Sequence, residues 1–188
     1  MKTLYRNLIV ILILVLIFPV AESTFAGNRD RSGQAGATEL LINPWARSSG
    51  WASANMSRVR GLEAIWGNVA GTAFTPKTQL IFANTQWLKG TGTNIMSFGL
   101  SQRVGEVGAL SLSVMSMTFG DIDIRTVDNP DESQGTYSPS LMNISLAYAK
   151  AFSNSIYAGI VLKIISESIS DVSAVGVAID AGIQYVTG

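Results

Sequence analysis

Residues 175–185 read Val-Gly-Val-Ala-Ile-Asp-Ala-Gly-Ile-Gln-Tyr, and this stretch decides the fold class. In an extended strand, side chains alternate between two faces, so residues two apart share a face. The even-numbered positions carry small or polar side chains, with Asp180 among them. The odd-numbered positions are apolar: Val175, Val177, Ile179, Ala181, Ile183 and Tyr185. No helical register collects the apolar residues so cleanly, and the pattern predicts a β-strand.

The same alternation recurs through the second half of the chain and predicts six strands. They cover residues 79–88, 94–104, 108–119, 141–152, 155–166 and 174–186. Each has roughly ten to thirteen residues, about twice the modal length in globular proteins but close to the ~9–11 residues that cross a bilayer at a tilt. Short connections at 105–107 and 153–154 alternate with longer ones at 89–93, 120–140 and 166–173. This alternation is typical of hairpins whose two ends face different compartments.

The composition argues against several classes of function. The 188 residues include no Cys and no His, so thiolate sites, Cys nucleophiles and the commonest general base are absent. We therefore expect no enzymatic activity, no metal and no cofactor. A formal net charge of zero argues against a nucleic-acid partner. Only 14% of residues are charged, which is low for a soluble domain.

The first 26 residues have the pattern of a secretory signal peptide. Lys2 and Arg6 form a basic start, and residues 8–18 are an unbroken apolar core followed by Pro19 and small residues. An uncleaved N-terminal anchor is the alternative, although the apolar core is short for a spanning helix. Export without any Cys fits a bacterial envelope protein.

Two all-β architectures are compatible with these strands, a soluble sandwich and a transmembrane antiparallel β-barrel. The face of a sandwich that meets water would carry many Lys, Glu, Thr and Asp residues. Here the non-apolar face carries mainly Ser, Gly, Ala and Asn, which suits an enclosed interior, and the barrel is favoured. Aromatic residues near strand ends, where a membrane girdle would lie, agree with a barrel: Trp87, Phe119, Phe152, Tyr157 and Tyr185.

Residues 27–74 precede the strands of 75–188, with a polar leader first and then a stretch without sustained alternation. Residues 40–52 read Leu-Leu-Ile-Asn-Pro-Trp-Ala-Arg-Ser-Ser-Gly-Trp-Ala, and residues 63–71 read Glu-Ala-Ile-Trp-Gly-Asn-Val-Ala-Gly. This pair of stretches resembles the N-terminal signature of the PorV/PorQ proteins, L-L-I-P…A-R-A-x-G-M-G followed by aromatic-W-N-P-A-G. The sequence departs from that signature at Trp51, Gly67 and Val69, where Met, Trp and Pro are usual. The likeness continues at 119–122, 137–139, 165–169 and 176–185.

The resemblance implies a FadL-like outer-membrane barrel of about fourteen strands, of which this chain would be the N-terminal part. An eight-stranded barrel that uses 37–74 is the alternative for a complete chain. The family implies association with the type IX secretion system, with outer-membrane lipid, secretion-system proteins and exported cargo as partners. A FadL-like passive channel for hydrophobic small molecules is the alternative function. The motif positions that are candidates for binding are Arg47, Gly50, Trp66, Asn68, Ala70, Gly71 and Asp180.

The residues themselves suggest structural roles for the same segment. Residues 68–71 read as a turn in which Asn68 bonds its own backbone and Gly71 takes positive φ. The FadL likeness implies that residues 37–74, within the segment 27–74, form a short plug inside the barrel, and the tryptophans at 45, 51 and 66 would then pack against its wall or line a pocket. Four charged residues are candidates for ion pairs with lumen groups such as Asp180, or for water contacts beside Arg103 and Lys163: Arg47, Arg58, Arg60 and Glu63.

The connection at 120–140 contains five carboxylates, namely Asp121, Asp123, Asp128, Asp131 and Glu132. Such oxygens can hold Ca²⁺, but their spacing fits no defined cation loop. Simple solvation of an exposed loop is the favoured interpretation.

Overall fold

A computed structural model describes residues 36–127 and 130–187. The predicted signal peptide at 1–26 lies outside the described residues, and so do Asp128 and the leader up to residue 35. Within the described residues the fold is predominantly β, with a few short helices before the first strand. No described helix has the length and apolar character needed to cross a membrane.

An antiparallel sheet of six strands dominates the fold, in the order β1-β2-β3-β6-β7-β8. Its strands are β1 (Thr78–Gln86), β2 (Asn94–Val104), β3 (Gly108–Thr118), β6 (Ser140–Ala151), β7 (Ile156–Ile169) and β8 (Val172–Tyr185). Between β3 and β6, β4 (Ile122–Asp123) pairs with β5 (Thr136–Tyr137) as a separate two-stranded ribbon.

The six predicted strands are confirmed, because alternation in the sequence reports the sheet directly. The largest difference at a boundary is at the end of β7, which continues to Ile169 instead of residue 166. As a result, the predicted longer connection at 166–173 is wrong. Ile169 pairs with Val172, so only Ser170 and Asp171 form the turn, and Ser170 takes positive φ. The β4–β5 ribbon was not predicted either.

The two ends of the sheet differ in their connections. The tight-turn end holds the β2–β3 and β6–β7 turns, the start of β1 and the end of β8. The long-loop end holds the β1–β2 and β3–β6 connections and the two-residue β7–β8 turn.

The N-terminal segment, residues 37–75, contains four short helices joined by turns and irregular backbone. Two are α-helical, α1 (Ala46–Gly50) and α2 (Ala64–Gly67), and two are 3₁₀ helices, Thr38–Leu41 and Val69–Phe74. Residues 46–57 contain α1 and turns and no strand. The same finding contradicts an eight-stranded sheet built from 37–74.

The N-terminal segment packs on one face of the sheet, here called the covered face, and the core lies between them. Trp45, Ile65 and Val69 of the segment cluster with Ala147 and Val161 of the sheet. Toward the long-loop end, a second cluster joins Ile95, Met115 and Met117, with Ile42 and Trp66 packed against it.

The opposite face, here called the open face, carries the apolar side chains and is exposed. The strand register lines them up in rows that cross all six strands. One row is Leu80, Leu100, Leu112, Leu146, Leu162 and Ile179. The next is Phe82, Phe98, Val114, Ile144, Ile164 and Val177.

The predicted aromatic positions divide between the two faces. Phe152 and Tyr185 are exposed at the tight-turn end. Trp87 and Phe119 instead pack on the second core cluster, and Tyr157 stacks on Phe74 of the N-terminal segment at 4.1 Å between ring centroids. An outward girdle built from all five is therefore wrong, because near a strand end the sequence does not reveal which face an aromatic residue takes.

Candidate functional site

The candidate site is the interface between the N-terminal segment and the covered face. Glycines on the strands make room for it. A Cβ atom on Gly99 would lie 2.8 Å from Leu62 Cδ2 and 3.1 Å from Trp45 Cη2. One on Gly159 would lie 3.1 Å from the Val69 carbonyl oxygen. The small residues of the covered face thus let helices approach the sheet backbone closely.

Asn68 joins the N-terminal segment to β8. Its Oδ1 accepts a hydrogen bond from the Ala70 backbone N–H at 3.2 Å, which caps the 3₁₀ helix. Its Nδ2 donates to the carbonyl oxygen of Ile183 at 3.1 Å. The predicted bond from Asn68 to its own backbone is confirmed, and Ala70 is fully buried beside it.

Gly71 was predicted to take positive φ, and this prediction is wrong. Gly71 is not among the described residues with positive φ. Its hydrogen atoms instead face the carbonyl oxygen of Val59 and the side chain of Ala64, which a Cβ would meet at 2.7 Å. The Gly71 carbonyl also accepts from the Gly61 N–H at 2.9 Å. Close packing within the segment requires this glycine.

Asp180 pairs with the neighbouring strand and not with the N-terminal segment. Its Oδ2 lies 2.5 Å from Lys163 Nζ on β7, and the Lys163 side chain is nearly buried while that of Asp180 is half exposed. Lys163 Nζ also lies 5.1 Å from the centre of the Trp66 ring. The predicted ion pairs from the segment to Asp180 are therefore wrong, because a cross-strand partner is nearer. The N-terminal segment meets this charge pair through the ring of Trp66, which lies over Lys163.

Arg47 pairs within the N-terminal segment. Its Nε lies 3.2 Å from Glu63 Oε2, which also accepts from the Ser48 hydroxyl at 2.8 Å. This contact ties α1 to the residues just before α2. Gly50, at the end of α1, has open space around the position of a Cβ, and no contact assigns it a role.

Gln184 anchors the segment to β8, and sequence reasoning gave it no role. The side chain is buried, and Nε2 donates to the carbonyl oxygen of Ser57 at 2.6 Å and of Val59 at 3.5 Å. Its place among the small and polar positions of β8 is the only signal that the sequence offers.

A buried chain of hydroxyl groups was also missed. Thr75 Oγ1 lies 2.7 Å from Ser101 Oγ, which lies 2.7 Å from Ser111 Oγ on the paired strand. These bonds join the end of the N-terminal segment to β2 and β3. They explain why serine at these covered-face positions is tolerated in the interior.

Glu39 is buried at the long-loop end of the interface. Burial raises the pKa of its carboxyl group above the ordinary value of 4.5, its own backbone N–H opposes this, and the nearby Glu167 adds to the rise. Its Oε1 has no hydrogen-bond partner among the described residues.

Two adjoining cavities open beside the segment at the tight-turn end. One, of about 490 Å³, is lined by Arg47, Trp51, Ala54, Asn55 and residues 57–60. The other, of about 570 Å³, is lined by Ser57, Arg58, Arg60 and residues 184–187, at and just beyond the end of β8. We call the two together the arginine groove, because Arg58 and Arg60 line both. Both alternatives predicted for the tryptophans occur, since Trp45 and Trp66 pack against the sheet, whereas the exposed side chain of Trp51 lines this groove.

Within the described residues, no group of acidic side chains is arranged to hold a metal ion. In the β3–β6 connection, Asp123 pairs with Arg125 at 3.2 Å, and Asp121 accepts a hydrogen bond from Ser138. These contacts occupy two of the carboxylates considered for Ca²⁺. No protein-family model and no curated protein matches the chain.

Proposed function

We propose that the chain forms part of the wall of a bacterial outer-membrane β-barrel of the PorV/PorQ type, with the N-terminal segment as a plug inside. In this proposal it binds exported cargo or partner proteins in type IX secretion and catalyses no reaction. A signal peptide at 1–26 would direct it to the envelope.

The proposal rests mainly on which face of the sheet is covered and which is exposed. The helices cover the small and polar face, while the apolar face is bare along its whole width. A soluble protein does the reverse, because burying a large aliphatic side chain contributes about 1.5–3 kcal/mol. Phe82, Ile179 and Val177 are each more than 60% exposed and belong to the rows that cross all six strands. A continuous apolar face of this size is suited to acyl chains.

The backbone supports closure into a barrel. In the described residues, β1 and β8 each pair on one side only. In a bilayer, unpaired backbone groups cost several kcal/mol each, so spanning strands close into a barrel. In a closed barrel, β1 and β8 would each have a second hydrogen-bonded neighbour.

The covered face supports the role of the segment as a plug. Lys163 and Asp180 lie on the covered face, where the N-terminal segment packs. Exposing these two charges to lipid would cost free energy. Asn68 and Trp66, two motif positions, contact the wall there. The tight-turn end would face the periplasm and the long-loop end the exterior.

Deletion of the gene in its host is the direct test of the secretion role. We expect loss of exported cargo from the cell surface and its accumulation in the periplasm, with restoration by the wild-type gene. Copurification of the tagged protein with secretion partners would add support. Normal surface display in the deletion strain would contradict the role.

A channel for hydrophobic small molecules is the second candidate, and one cavity favours it. This cavity, of about 250 Å³, is lined by Met56, Ile65, Trp66 and Val161, with Asp180 at its side. Uptake of a labelled fatty acid should fall in the deletion strain if this function holds. Unchanged uptake together with lost cargo display would decide for the secretion role.

A further inference from the structure

The charges of the described residues are separated along the strand axis. The tight-turn end carries five basic residues, Arg58, Arg60, Lys77, Arg103 and Lys150, and one acidic residue in its turns, Glu106. The long-loop end carries Glu39, Asp121, Asp123, Asp131, Glu132, Glu167 and Asp171, with Lys89 and Arg125. A formal net charge of zero therefore conceals a positive end and a negative end. An anionic ligand is attracted to the tight-turn end.

At that end, Arg58 and Arg60 lack a carboxylate partner among the described residues. Glu63, the acidic residue of the N-terminal segment nearest in sequence, already accepts from Arg47 and Ser48. Arg60 stacks on Phe74 at 4.3 Å, which fixes the guanidinium plane but leaves its donors free. The Arg58 backbone N–H donates to the Asn55 carbonyl oxygen at 2.9 Å, but its guanidinium has no hydrogen bond or ion pair with any described residue.

The backbone between these arginines is held in place. Val59 is buried, and its N–H donates to the Asn55 carbonyl oxygen at 2.7 Å. Gln184 of β8 holds the carbonyl oxygens of Ser57 and Val59. The residues that alternate with them, Arg58 and Arg60, both line the arginine groove. Little ordering of the backbone is needed when a ligand binds, which favours affinity.

Trp51 adds an apolar contact to the same groove. Its side chain is 64% exposed, and it lines the cavity with Arg58 and Arg60. Exposed tryptophan beside arginine is typical of binding surfaces, because both contribute large contact areas on desolvation.

We propose that the arginine groove binds an acidic peptide segment of a partner protein, with two carboxylates separated by one residue and an apolar side chain next to them. Each guanidinium forks onto one carboxylate, and the apolar side chain packs on Trp51. This spacing matches that of Arg58 and Arg60, which are separated by Val59 alone. This inference rests on the proposed function only in placing the groove at the periplasmic mouth.

The position of the groove disfavours an anionic lipid as the ligand. The groove lies on the covered side of the sheet, beside Gln184, whereas the apolar side chains that would meet lipid are on the open face. A headgroup held at Arg58 and Arg60 would draw its acyl chains away from that face. A peptide has no such constraint.

The test is binding of short fluorescein-labelled peptides to the purified full chain in a neutral detergent. A peptide with Glu-Ala-Glu followed by Leu should bind, and the matched Gln-Ala-Gln peptide should bind about tenfold or more weakly, since charge-assisted bonds to arginine are lost. The double variant Arg58→Gln, Arg60→Gln should show the same loss. Both sites are exposed, so we expect these variants to fold, and near-ultraviolet circular dichroism checks this. Arg58→Lys, Arg60→Lys keeps the charge without the fork and should lie between.

The control is Lys89→Gln, Arg125→Gln, which removes the same charge from the long-loop end and should leave binding unchanged. Equal binding of the Glu and Gln peptides, or an equal loss in the control, would overturn the proposal. Binding of phosphatidylglycerol vesicles through the same arginines, without peptide binding, would also overturn it. Peptide binding in a protein whose deletion leaves secretion normal would uphold the groove and count against the secretion role alone.

Discussion

Lys163 Nζ and Asp180 Oδ2 lie 2.5 Å apart across β7 and β8, under the ring of Trp66. Lys163 is 5% exposed, so its charge depends on Asp180 and Trp66 for stabilisation in the interior. The pair lies on the covered face, on the same side as the N-terminal segment. The sheet and the N-terminal segment therefore share one charge network.

The first prediction concerns this network. Asp180→Asn removes the partner and leaves the Lys163 charge buried without it. We expect the free energy of unfolding to fall by about 1–3 kcal/mol, which is less than for a fully buried pair because the Asp180 side chain is half exposed. The double variant Lys163→Met, Asp180→Asn should be more stable than Asp180→Asn alone. Denaturant unfolding in detergent micelles measures both. Equal stability of the two variants would show that Lys163 does not depend on its partner.

The sequence predicted the sheet well and the interface poorly, for a physical reason. Strand alternation is a local property, so β2 was placed at its observed limits, Asn94–Val104. The interface depends on contacts between distant residues. Gln184 and Ser57 are 127 residues apart, and Asn68 and Ile183 are 115 apart. No local pattern encodes such pairs.

The candidate residues show the same division. Asn68 caps its own helix, a local contact that its residue type indicates, and this prediction is confirmed. The expected partners of Asp180 and the reason for Gly71 were wrong, since both depend on what folds against them. The pairing of Arg47 with Glu63 also depends on how α1 and α2 pack.

The second prediction concerns the glycines of the covered face. Gly99→Val places a branched side chain against Leu62 and Trp45. We expect this overpacking to lower the free energy of unfolding by about 1–3 kcal/mol. Gly176→Val is the matched control, because a Cβ there meets nothing within 4 Å. It should be neutral or slightly stabilising, as valine favours strands. Denaturant unfolding of both variants is the measurement, and equal losses would show that the segment does not approach β2 so closely.

The third prediction concerns pH. The pKa of Glu39 is raised above 4.5, chiefly by burial, so the folded protein holds this proton more tightly than the unfolded chain. The contribution of Glu39 to the free energy of unfolding should therefore fall as pH rises from 4.5 through the folded-state pKa, and should remain low above it. Glu39→Gln should remove this fall and stabilise the protein at neutral pH.

Glu106→Gln is the control for Glu39, since Glu106 is exposed in the β2–β3 turn. Unfolding free energies of the three proteins, measured from pH 4 to 8, give the comparison. A wild-type protein and a Glu39→Gln variant with parallel pH profiles would contradict the burial of this carboxyl group.

The fourth prediction separates a lipid-facing sheet from a water-facing one. Ile179 is 67% exposed on the open face, in the row with Leu162 and Leu146, near the middle of β8. The proposed function puts it against acyl chains, so Ile179→Arg should cost about 2–4 kcal/mol in lipid vesicles. Val175→Arg, four residues closer to the β7–β8 turn on the same face and 72% exposed, should cost less, about 0–1 kcal/mol, because it lies nearer the interface. In water, arginine at either exposed position would be close to neutral. Folding yields and unfolding free energies in vesicles therefore test the open face directly, and two equal, small effects would count against a membrane wall.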